Sequence, residues 1–130
     1  MKILFVCKHN RFRSKVAEAF FNKLNTNQDW KAESAGEVFN DKETPENVIK
    51  VLKEFKVEVN HKKPRQINQN LIEKFDLIIV VADNVDLSDK VNGKKLVVWK
   101  ISDTPEEDVK GILKRVEKIE HKVKELLRNL

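Results

Sequence analysis

The chain has 130 residues, 40% hydrophobic and 36% charged, with only 3 Gly and 3 Pro, so it can build a core and is neither fibrous nor low-complexity. No apolar run approaches the roughly 20 residues that span a bilayer, the N-terminus lacks a secretory cleavage site, and a single cysteine fits a reducing cytoplasm. A net charge of +5 favours anionic partners, which leaves phosphate esters, nucleic acid and acidic proteins open.

In chain order, Lys2–Cys7 reads as a buried strand, and Ser14 to about Leu24 as a helix with Val16, Ala17, Phe20, Phe21 and Leu24 on one face. Residues 30–34 suggest a strand stopped by Ala35-Gly36. Thr44-Pro45-Glu46 opens a second helix, with Thr44 as cap and Pro45 in the first turn. Asn68–Phe75 reads as a short helix. Leu77–Val81 is wholly apolar and suits a central parallel strand. Lys95–Ile101 is another strand. Thr104-Pro105-Glu106-Glu107 reads as a capping box that starts the last helix, whose stripe runs from Val109 to Leu127.

Strands alternating with helices imply an α/β fold. The expectation is one domain, residues 1–130, built as a three-layer α/β/α sandwich on a small, about four-stranded, open parallel sheet. In such sheets ligands bind beyond the carboxyl ends of the strands. Cys7 and Asp103 each follow a strand, so they are expected to share that rim.

Lys8, Arg11 and Arg13 surround Cys7 with positive charge, and the loop leads into a helix N-terminus. Both features favour a thiolate. The same features suit a tetrahedral anion: inward backbone N–H groups, and an arginine fork that grips two oxygens. A lone cysteine is most often a small buried apolar residue. Against that, a cation at a helix start opposes the helix dipole unless an anion lies there, and Arg13 sits at such a start. Asp103 has the alternative role of helping to cap the last helix. Trp30 and Trp99 read as core or rim packing, although Trp30 or Phe39 could flank a flat ring in the cleft.

Cys7, Arg13 and Ser14 match the C-x5-R-[ST] signature, and its place after the first strand resembles the low-molecular-weight protein tyrosine phosphatase family, which shares its fold with arsenate reductases. Asn10, Ala17-Glu18-Ala19-Phe20, Ser34-Ala35-Gly36, the segment from His61 to Arg65, and Phe75–Ile79 follow the family pattern in order. His9 stands where the family usually has glycine, Phe12 where it often has a second cysteine, and Asp103-Thr104-Pro105 where it has Asp-Pro. The resemblance implies a phosphotyrosine phosphatase I-like, flavodoxin-like topology. It implies Cys7 as nucleophile, Arg13 as oxyanion clamp and Asp103 as general acid. Lys8, His9, Asn10, Arg11, Phe12, Arg13 and Ser14 would form the substrate loop, with Ser34 and His61 tied to Asn10 beneath it. No metal or cofactor is implied. The substrate would be a phosphotyrosine protein or small aryl phosphate, with inorganic phosphate as product, no membrane, and no nucleic acid. Two other functions compete. One is an arsenate reductase using an external thiol, since a single cysteine excludes relay to further thiols in the chain. The other is a non-catalytic oxyanion- or nucleic-acid-binding module.

Overall fold

A computed structural model describes residues 1–130. The elements are β1 (Lys2–Cys7), α1 (Arg13–Leu24), β2 (Lys31–Gly36), α2 (Glu46–Glu54), α3 (Gln69–Glu73), β3 (Leu77–Val81), β4 (Lys95–Trp99) and α4 (Val109–Arg128). The strands form one parallel sheet in the order β2-β1-β3-β4. This is the expected α/β sandwich.

Side chains on β1 alternate between two apolar layers. Ile3 and Phe5 enter a core shared with α1, α2 and α4; Leu4 and Val6 enter a second core with Ile72 of α3, Leu87 and Val91. Both faces being covered, β1 and β3 are almost wholly apolar. Phe5 anchors the larger core, with ring centroids 6.1 Å from Phe21 and 5.7 Å from Trp99.

Three local expectations are corrected. Ala35-Gly36 continue β2 instead of stopping it: Gly36 pairs with Cys7 and also donates its N–H to Arg65 O at 2.7 Å. A Cβ on Gly36 would lie 2.9 Å from the His9 carbonyl carbon and 3.0 Å from Asn10 N, so this glycine admits a neighbouring backbone. Thr44 does not cap α2: its hydroxyl donates to Lys62 O at 3.3 Å, and the cap position is Pro45. Thr104–Glu107 do not open α4 either. Asp108 is its N-cap, accepting from Gly111 N at 3.0 Å, while the Thr104 hydroxyl donates to Asp108 Oδ2. Residues 102–108 are thereby left as a loop above the carboxyl ends of the strands.

Candidate active site

In the order β2-β1-β3-β4 the chain leaves β1 for one side of the sheet and later crosses to the other, which makes the end of β1 the switch point. Cys7 ends β1 there, only 2% exposed, and residues 8–12 curl from it into Arg13, the first residue of α1.

The curl is held from beneath by Asn10. Its φ of 57° is left-handed, a conformation asparagine tolerates better than most residues. Its Nδ2 donates to Ser14 Oγ at 2.7 Å and Ser34 Oγ at 3.0 Å, and its Oδ1 accepts from Arg65 N at 2.9 Å. The Asn10 amide fills an acceptor site on Ser14, leaving the Ser14 proton free to point at Cys7 Sγ, 3.0 Å away. Ser34 in turn donates to the carboxylate of Glu18, which is buried on α1.

The guanidinium of Arg13 is 2% exposed. Nη1 donates to Ile101 O at 2.8 Å and lies 3.7 Å from Asp83 Oδ1; Nη2 reaches Asn84 Oδ1 at 3.4 Å and lies 3.9 Å from Asp103 Oδ2. The Arg13 guanidinium is therefore fixed to the segments that follow β3 and β4. Asp103 is half-exposed and accepts from Thr104 N at 2.8 Å. Cys7, Arg13 and Asp103 all line one cleft of about 350 Å³, with His9, Arg11 and Phe12 on the loop side and Pro45, Val48 and Ile112 on the helix side.

The family model for low molecular weight phosphotyrosine protein phosphatase matches residues 2–130. The chain belongs to that family. Among solved structures it is similar to an arsenate reductase from Archaeoglobus fulgidus, 34% identical, covering 96% of this chain and 98% of that one with a TM-score of 0.80. A low molecular weight protein tyrosine phosphatase from T. tengcongensis is 22% identical, covering 100% and 99%, with a TM-score of 0.87. The YwlE arginine phosphatase from Geobacillus stearothermophilus is 20% identical, covering 98% and 91%, with a TM-score of 0.83. The last two show the shared fold. Nothing matches among curated proteins.

Against the family's loop, the structure sorts the expected residues. His9, Arg11, Phe12 and Arg13 face the cleft. Asn10 and Ser14 lie buried under it and support it. Lys8 turns aside and pairs with Glu37 at 2.9 Å, so its charge is neutralised away from the cleft. Ser34 meets Asn10 as expected, but His61 is exposed, and the second tie to Asn10 is the Arg65 N–H. Trp30 packs against the larger core, and Phe39 is 75% exposed and outside the cleft wall, so neither flanks a ring there. Asp83 approaches Arg13 as closely as Asp103 does, but it does not line the cleft.

Sequence reasoning missed Glu18, Arg65 and Asn84. Glu18 had a readable signal, since it lies four residues after Ser14 on the same helix face. Burial pushes the neighbouring Lys15 ammonium below its usual value, partly offset by the Glu18 carboxylate, and Lys15 Nζ donates to Lys63 O at 2.8 Å. No three His, Cys, Asp or Glu side chains are grouped to hold a metal ion.

Proposed function

We propose that this protein is a cysteine-dependent phosphatase acting on phosphotyrosine, in proteins or as small aryl phosphates. The observation that carries the reading is the meeting of Cys7, Arg13 and Asp103 in one cleft, with the Ser14 hydroxyl 3.0 Å from the sulfur. The Cys7 thiolate attacks phosphorus, forming an S–P bond as the bond to the phenolic oxygen breaks. Asp103 gives its proton to that oxygen. Arg13 and the N–H groups of residues 8–13 hold the equatorial oxygens. The Asp103 carboxylate then takes a proton from water as the water attacks phosphorus, the S–P bond breaks, and inorganic phosphate leaves. The Ser14 hydrogen bond stabilises the departing sulfur.

A second reading is favoured by the 34% identity to an arsenate reductase. There Cys7 attacks arsenate, forming an S–As bond as water leaves. A small thiol from solution attacks the Cys7 sulfur, the S–As bond breaks and arsenite departs as As(III). A second thiol reduces the mixed disulfide left on Cys7, since the chain has no further cysteine. One experiment separates the two. Wild type and Cys7→Ser are assayed for p-nitrophenyl phosphate hydrolysis and for arsenate reduction with glutathione. Hydrolysis that Cys7→Ser abolishes, with phosphate binding retained, supports the phosphatase. Thiol-dependent arsenate reduction without hydrolysis assigns the second reading, and hydrolysis unchanged in Cys7→Ser overturns both.

A further inference from the structure

Arg11 leaves the phosphate loop and crosses the mouth of the cleft. Its Nε donates to Glu43 O at 3.0 Å and its Nη2 to Glu106 Oε2 at 3.2 Å. Glu106 is held a second time, its main-chain oxygen accepting from Asn47 Nδ2 of α2 at 2.8 Å. Three positions earlier stands Asp103, with Pro105 restricting the backbone between them. The near end of this short loop is fixed by Asp103 beside Arg13 and by Thr104 on Asp108. The far end is fixed by Arg11 and Asn47.

We propose that Arg11 is a positioning residue for Asp103, acting through Glu106. The inference rests on the phosphatase reading and on Asp103 as its proton donor. Residues 102–108 form neither helix nor strand, so the placing of the Asp103 carboxyl depends on how both ends of that loop are held. Arg11 restrains the far end, and does so from the loop that would hold the phosphoryl group. Acid and anion site are thus referenced to one another. The competing role for Arg11 is a second positive charge on the anion, beside Arg13. Its side chain is 24% exposed, and its Nε and Nη2 are already committed to Glu43 and Glu106.

The roles separate by leaving group, because a displaced proton donor harms a basic leaving oxygen more than an activated one. Phenyl phosphate and p-nitrophenyl phosphate are compared for wild type, Glu106→Gln, Arg11→Lys, Asp103→Asn and the Asp103→Asn/Glu106→Gln double variant. Glu106→Gln and Arg11→Lys are each expected to lose about two- to fivefold more kcat/KM on phenyl phosphate than on p-nitrophenyl phosphate, the scale of one exposed ion pair. In the Asp103→Asn background Glu106→Gln should leave that ratio unchanged, and its inhibition constant for orthophosphate should match wild type. Equal losses on both substrates overturn the proposal. So does a further change of ratio without Asp103, a weakened orthophosphate inhibition in Glu106→Gln, or a wild-type ratio in Arg11→Lys. If wild type hydrolyses neither substrate, the phosphatase reading itself fails and takes this proposal with it; if Asp103→Asn loses equally on both, Asp103 is not the proton donor and this proposal alone falls.

Discussion

At Asn10 a left-handed backbone and three side-chain hydrogen bonds coincide in a residue with no exposed surface. Replacing it with alanine strands the Arg65 N–H, takes one of two partners from each of the Ser14 and Ser34 hydroxyls, and keeps a Cβ at positive φ without the polar side chain that makes asparagine tolerant there. Asn10→Ala is expected to lose about 3 kcal/mol. Asn10→Gly relieves the backbone but not the hydrogen bonds, so it should be more stable than Asn10→Ala by roughly 0.5–1 kcal/mol, once glycine's extra freedom in the unfolded chain is counted. Urea unfolding of the two variants measures the gap; equal stabilities would show that the φ of 57° carries no cost. The position of Asn10 was legible in sequence because asparagine tolerates the positive φ that a tight loop between a strand and a helix needs. Its partner Arg65 was not, because the contact is made by a backbone N–H, and any residue type other than proline has one.

The elements divide by how much of their signal is local. β1 and β3 were legible because burial on both faces leaves only apolar residues. α4 was legible from its stripe, but not at its start. Thr104-Pro105-Glu106-Glu107 has capping chemistry, yet Asp108 wins, and Gly111 shows why: a Cβ there would lie 2.3 Å from Asp108 Oδ2 and 2.6 Å from Thr104 Oγ1. The missing side chain lets both polar groups close over the first turn. The Gly111 N–H, then the Thr104 hydroxyl, hold the Asp108 carboxyl below the usual aspartate range. A lowered folded-state value means that its stabilisation is complete above the ordinary aspartate value, near 3.9, and is lost as pH falls through the lower one. Asp108→Ala should therefore lower the thermal midpoint by roughly 2–5 °C at neutral pH, and the gap to wild type should close on acidification below about pH 3.9. Scanning calorimetry of both proteins across that range checks it; a gap independent of pH would mean that the charge plays no part.

On the scale of the whole molecule, one sheet separates two cores, so damage to either is felt through β1 and β3 by both. We infer that residues 1–130 unfold as one cooperative unit. Phe5→Ala removes the ring between Phe21 and Trp99 and is expected to cost about 3–5 kcal/mol, a large share of a typical domain's stability. Near-ultraviolet and far-ultraviolet circular dichroism should still report coincident transitions; separated ones would divide the chain into independent parts. The strand order was legible as a class from the alternation of elements, whereas the meeting of Arg13 with Asn84, Asp83 and Ile101 was not, since topology alone brings residue 13 beside residues 83–103. The same topology isolates the one sulfur at the head of β1, with Phe12 in the loop beside it. Under peroxide, Cys7 would pass to the sulfenic state with no second thiol in the chain to trap it before irreversible sulfinic acid forms. How long that sulfur stays reduced is then set by how quickly small thiols from outside reach the cleft.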